Sequence, residues 1–319
     1  MTTAFQSAYH SDAAMTTAYQ SAYHTDAAMT TAFSSAYHTD SGPTKALNQD
    51  SLLLMEASLD ATPLFLAVVC DGMGGLELGE VASAMACRAF RAWFQDEAPR
   101  LCREGLWSEG FSENGWEGGQ GDGWESGWEG GQGDGRESGL RASLTALVAG
   151  LNEELLEFGR SQGIALGTTL AALFLSGDAY CALHVGDSRI YALLPDSVEQ
   201  LTRDHSLVQY ELDNGTLSME EALVDDRRNV LLRCVGVDEG AVPDFAFGTA
   251  LHGMTFVLCS DGFYRRTTPD EIHQRLNPVS VGTEEQLALA LAGLTQQALE
   301  RGETDNLSAI AVRVGGCFR

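Results

Sequence analysis

Along this chain, short runs of apolar and β-branched residues alternate with longer stretches in which apolar positions recur every three or four residues. The short runs read as buried strands at 64–70, 168–175, 180–193, 255–260 and 307–314. The helical period is carried by 79–94, where Val81, Met85, Ala89 and Trp93 share a face, and by 141–158, with Leu144, Val148, Leu151 and Leu155. A third helix, 284–301, opens on Thr283 and Gln286, spaced as a capping box. It carries Leu287, Leu291, Leu294 and Ala298 in one stripe and stops at Gly302. Strands grouped with long helices predict α+β layers packed on sheet faces.

Two stretches fall outside this pattern. Residues 1–42 are three near-identical 14-residue copies, "MTTAFQSAYHSDAA", "MTTAYQSAYHTDAA" and "MTTAFSSAYHTDSG". Units this short do not build a solenoid, and only the third runs into the rest of the chain. Residues 1–35 are therefore expected to be a repetitive tail and 36–319 the folded domain. Between Arg103 and Gly139 a second repeat, "GWEGGQGDGWES" then "GWEGGQGDGRES", lies in a Gly-rich stretch with nine acids against two arginines. So much glycine makes ordering costly in entropy, and 103–139 reads as a flexible insert.

At 319 residues and 44% hydrophobic content the chain can bury a large core. Its formal charge, 19 − 45 = −26, repels nucleic-acid phosphates and anionic membrane surfaces, so neither is an expected partner. Seven cysteines form no CxxC pair, and several sit inside apolar runs as reduced core residues. No basic residue precedes Lys45 and no apolar run is long enough to span a bilayer, which points to the cytoplasm.

Candidate chemistry lies in aspartates at the ends of strand-like runs: Asp71 in "LAVVCDGMGG", Asp187 in "LHVGDSR", Asp261 in "FVLCSDGF" and Asp305 in "GETDNLSAIAV". Asp50 in "NQDSLLL" starts another such run. Glycine beside an aspartate lets the backbone turn so that carbonyl and carboxylate approach one ion, and hard cations such as Mg²⁺ and Mn²⁺ take oxygen ligands. Each motif alone is an ordinary turn signal.

Together and in order, "KALNQD", "DGMGG", "LGTTL", "HVGDSRIY", "LTRDHSLVQ", "LLRCVGV", "CSDGFY" and "TDNLSAI" resemble the protein phosphatase 2C family, particularly its bacterial branch. The resemblance implies a two-sheet antiparallel β-sandwich flanked by helix pairs, in four αββα layers. It implies hydrolysis of phosphoserine and phosphothreonine in proteins by a water bridging two Mn²⁺ or Mg²⁺ ions, with a kinase and its substrates as partners. Asp71 would bridge both ions, the Gly72 carbonyl would ligate one, and Asp261 and Asp305 would complete the other. Asp50 would act through metal-bound water, and Lys45 would bind the substrate phosphate. Asp187 and Arg189 would form a supporting ion pair or turn, and 204–229 a mobile flap.

Several positions depart from the family pattern. Lys45 stands where arginine is usual, keeping the charge without the bidentate fork. Gln49 stands where glutamate is usual, and "SQGIAL" lacks an aspartate that helps hold a third ion in relatives, which puts that ion in doubt. Met73, at a position where methionine is usual in bacterial members of the family, cannot donate a proton to the leaving group. These departures leave open a phosphatase-like module that binds a kinase or phosphoprotein without turnover. A carboxylate cluster alone would also permit a two-metal phosphodiesterase.

Overall fold

The computed structural model of the chain describes residues 5–10, 32–73, 78–106 and 139–315. Eleven strands are described: β1 Phe5–His10, β2 Phe33–Asp40, β3 Asp50–Leu59, β4 Thr62–Asp71, β5 Leu170–Ser176, β6 Ala179–Val185, β7 Arg189–Leu193, β8 Val198–Gln200, β9 Asp244–Thr249, β10 Thr255–Cys259 and β11 Leu307–Val314. They form a six-stranded sheet ordered β1-β3-β4-β5-β6-β9 and a five-stranded sheet ordered β2-β11-β10-β7-β8. Every strand pairing is antiparallel. The helices are α1 Gly79–Asp96, α2 Ala98–Arg103, α3 Gly139–Gln162, α4 Leu207–Asp213, α5 Met219–Ala222, α6 Asp261–Tyr264, α7 Pro269–Leu276 and α8 Glu284–Glu300.

The expected four layers are present, and the alternation of side chains along β3 shows how they are held. Leu53 and Met55 point to one face, where they join Leu66 and Val68 of β4 under Phe90, Trp93, Leu144 and Leu151 of α1 and α3. Leu52 and Leu54 point to the other, meeting Phe65, Val69, Phe256 and Ile310 between the sheets. A third core of Val257, Cys259, Ala311, Leu287, Leu291 and Leu294 joins the five-stranded sheet to α7 and α8. The stripe read on α8 is buried as expected, and its capping box forms, with Gln286 N–H donating to the Thr283 hydroxyl.

Register between β3 and β4 places the chemistry. Asp60 and Ala61, both at positive φ (49° and 71°), make a two-residue hairpin turn. That turn pairs Leu59 with Thr62 and, at the other end of the hairpin, Asp50 with Asp71. A slip of one residue would turn every β3 side chain to the wrong face, so two cores hold the register that sets these aspartates side by side.

The structure differs from the sequence reading in three places. The run 180–193 is two strands, broken at 186–188, because Gly186 takes a positive φ of 106° and turns Asp187 out of the ladder. The first 14-residue copy also contributes a strand: β1 pairs with β3, with Phe5 opposite Ala57 and His10 opposite Leu52. The third copy forms β2 against β11, beginning at Phe33 rather than at 36. Most of the insert, residues 107–138, lies outside the described residues, as does the second copy. No helix among the described residues is long and apolar enough to cross a membrane.

Candidate metal centre

Loops at one end of the sandwich gather the aspartates. Asp71 ends β4, Asp50 begins β3, Asp261 opens α6 directly after β10, and Asp305 precedes β11. Close backbone approach holds these loops together, and glycine permits it. A Cβ on Gly72 would lie 2.2 Å from the Gly79 carbonyl oxygen and 2.6 Å from that of Gln49. A Cβ on Gly262 would lie 2.1 Å from the Asn306 carbonyl oxygen. Side chains next to glycine in these motifs are thereby brought to one point, while Gly72 N–H donates to the Gln49 carbonyl at 3.0 Å.

A hydroxyl lattice fixes the strand ends. Ser260 Oγ donates to Asp50 Oδ2 at 2.8 Å and accepts from Ser308 N–H at 3.0 Å. In the "LGTTL" motif, Thr168 Oγ1 donates to the Asp71 carbonyl at 2.9 Å, and Thr169 Oγ1 accepts from Asp71 N–H at 3.0 Å. Gln49, where a carboxylate was expected, turns its amide to Glu80 Oε2 at 3.2 Å.

The electrostatics are those of a cluster with too much negative charge. Burial, then the neighbouring Asp261 and Asp305, pushes the Asp50 carboxyl up to about 7 against two hydroxyl contacts that favour its anion. Asp71 is raised well above the usual carboxylate range by burial and by Asp50, Asp261, Asp187 and Asp305. Burial also raises Asp261, although Arg265 opposes it.

These residues fit divalent cations. Asp50 Oδ1 and Asp261 Oδ1 are buried without a hydrogen-bond partner, an arrangement that costs free energy unless a cation meets them. An all-oxygen donor set of this kind suits Mg²⁺ or Mn²⁺.

Comparison with known proteins identifies the family. The model of the family described as protein phosphatase 2C matches residues 42–300, more than half of the chain. The chain belongs to the protein phosphatase 2C family. It is 31% identical over 215 residues to the serine/threonine phosphatase Stp of Listeria innocua, covering 66% of this chain and 71% of that one. Among solved structures, the serine/threonine phosphatase of S. agalactiae is 26% identical with a TM-score of 0.68, covering 88% of this chain and 99% of that chain. The PstP catalytic domain in complex with two manganese ions is 25% identical with a TM-score of 0.65, covering 89% and 99%. The fold and chemistry expected from the motifs are thus those of a metal-dependent protein serine/threonine phosphatase.

Other residues of this phosphatase have placements that the sequence left open or misassigned. Lys45 Nζ reaches Asp305 Oδ1 at 2.8 Å. Arg189 pairs with Asp204, not Asp187: Nε and Nη2 reach its two oxygens at 2.9 and 2.7 Å, and the guanidinium lies 3.7 Å from the Tyr264 ring centroid. Asp187 is buried, and its carbonyl accepts from the Tyr264 hydroxyl at 3.0 Å. Arg265 was missed entirely. Its guanidinium contacts Asp261, one helical turn away, and lies 3.4 Å from Asp305 Oδ2. The i,i+4 spacing in "DGFYR" was the available signal.

A second group of ligand-type atoms, from His184, His205 and Asp244, lies at the root of the 204–229 segment. Gly186 N–H donates to His205 Nδ1 at 3.1 Å, and Asp244 Oδ2 and Arg233 Nη1 approach His205 Nε2 at 3.0 and 3.2 Å. With Arg233 also 2.9 Å from Asp244 Oδ1, the group reads as a latch for the segment. Beyond it, α4 is capped by Ser206 and α5 by the Ser218–Glu221 box read from the sequence.

Proposed function

We propose that Asp71, the Gly72 carbonyl, Asp261 and Asp305 hold two divalent cations, Mn²⁺ or Mg²⁺, and that Asp50 orients the water they carry. The observation that supports this most strongly is the pair of partnerless buried oxygens, Asp50 Oδ1 and Asp261 Oδ1, within one carboxylate cluster. When bound, such cations would acidify a water for attack on phosphorus and offset charge on the phosphoryl oxygens. Lys45, about one-third exposed, stands at the rim with its ammonium free to pass from Asp305 to a substrate phosphate. Ser260, Thr168 and Thr169 keep the carboxylates in register through their backbone and side-chain contacts. Met73 offers no proton, so the leaving serine or threonine oxygen takes its proton from water.

The natural substrates in this reading are phosphoproteins of the cytoplasm, set against a serine/threonine kinase. The 204–229 segment supplies a docking surface beside the centre, where Tyr210, Met219, Leu223 and Val224 are exposed. Activity on a phosphothreonine peptide with Mn²⁺, compared with a bis-aryl phosphodiester and with chelator-treated enzyme, tests the reading. Turnover of the peptide alone, abolished by chelator, is the expected result. Preference for the diester would overturn it.

A further inference from the structure

Arg265 is, among the described residues, a cation of the centre that nothing above employs. It caps the C-terminal end of α6, the turn that begins with Asp261, and its side chain is only 14% exposed. One guanidinium nitrogen meets Asp261 Oδ2 and another lies 3.4 Å from Asp305 Oδ2, so a single group touches both carboxylates assigned to one ion. Burial opposes its charge, but Asp261, Asp187 and Asp305 outweigh burial and hold it firmly charged. Lys45 differs: it contacts Asp305 only, from the more exposed rim.

A guanidinium does not lose its proton in a protein, so Arg265 brings a permanent positive charge to atoms that a divalent cation would take. Two cations cannot use the same carboxylate lone pairs without cost. An ion entering between Asp261 and Asp305 must displace the guanidinium from them or bind against its repulsion. Before the ion enters, the same guanidinium offsets the repulsion between the two acids and keeps them converged. By linkage, whatever stabilises the metal-free centre through those oxygens is lost when metal binds, and the loss is subtracted from metal affinity.

We infer that Arg265 is a resident counter-cation of the metal centre: it holds Asp261 and Asp305 together without metal and weakens binding of the ion those two carboxylates take. It is a positioning residue that sets the divalent-cation concentration at which the phosphatase becomes loaded. The inference rests on the assignment of Asp261 and Asp305 as ligands.

The test is a Mn²⁺ titration of the full chain, reading free Mn²⁺ by its electron paramagnetic resonance signal, paired with thermal unfolding with and without metal. The variants are Arg265→Gln, Arg265→Met, whose unbranched side chain fills similar space without charge, and Arg265→Lys. The neutral variants should bind one Mn²⁺ at least ~10-fold more tightly than wild type, given the strength of a close charge repulsion at low exposure. They should also melt lower without metal and gain more from Mn²⁺, while Arg265→Lys stays near wild type. A merely structural ion pair would lower melting equally with and without metal and leave affinity within twofold of wild type, and that result overturns the inference. If wild type binds no Mn²⁺ at all, the ligand assignment fails instead, and the inference falls with it.

Discussion

Lys45 and Asp305 form an ion pair, with Nζ 2.8 Å from Oδ1, between a residue read as a phosphate ligand and one read as a metal ligand. Burial pushes Asp305 up, but the Lys45 contact outweighs it and keeps the carboxyl below its ordinary range. The lysine therefore neutralises an acid here, and in the proposed reading a cation would take that acid and leave the ammonium to the substrate phosphate. Lys45→Ala should raise KM for a phosphopeptide with less effect on kcat, lowering kcat/KM by roughly ten- to a hundredfold, as loss of one charge-assisted hydrogen bond predicts. Steady-state kinetics with saturating Mn²⁺ measure it, and a change within twofold would exclude Lys45 from phosphate binding.

The carboxylates themselves carry a larger effect. Asp71→Asn and Asp261→Asn would each remove charge that the proposed cations need, and each should lower turnover at least ~10³-fold. Binding should fall as well, visible as a lost or weakened Mn²⁺ site by calorimetry. Full activity in Asp261→Asn would show that the two ions are held elsewhere.

Glu56 gives a pH dependence apart from the centre. Burial, with some help from Glu284, raises its carboxyl from 4.5 to about 7. The folded state then holds the proton more tightly than the unfolded chain, so the stability penalty is absent below about pH 4.5 and complete above about pH 7. Stability of the Mn²⁺-loaded protein should fall across that window by at most roughly 3 kcal/mol, and Glu56→Gln should flatten the fall. Urea unfolding at a series of pH values reads both, and parallel curves for the two proteins would rule Glu56 out.

Removal of residues 1–28 deletes β1 but leaves the copy that forms β2. Phosphatase activity should survive, because no residue of the centre lies on either strand. Amide exchange should nonetheless quicken along Leu52–Ala57, which loses its neighbour. Unchanged exchange there would mean that β1 does not hold the edge in solution.

Much of this was legible in the chain. Strand 64–70 and helix 284–301 carry unbroken periodicity, and their observed counterparts, β4 and α8, differ from the reading by only a few residues. The aspartates could be picked out because each stands at one end of an apolar run, but their meeting depends on contacts such as Asn306 against Gly262 that no local pattern encodes. The break at 186–188 was hidden because both flanking segments are apolar and only the φ of Gly186 separates them. Of the two readings of Asp187 and Arg189, an ion pair or a turn, the ion pair fails because the partner of Arg189, Asp204, is fifteen residues away across a strand connection. Arg265 escaped notice because a charge four residues from an aspartate is commonplace until both face a third carboxylate.

The repeat strands have a colloidal consequence. Without β1 the six-stranded sheet would end on β3, ten residues long and largely apolar, and without β2 the other would end on β11, also apolar. Long hydrophobic edges recruit neighbouring molecules through their open ladders. Here those borders are instead "FQSAYH", shorter than β3, and "FSSAYHTD", as long as β11, and both are richer in polar residues than the strands they cover. Duplication of one small unit thus covers one border of each sheet with more hydrophilic sequence, leaving β9 and β8 as the opposite borders.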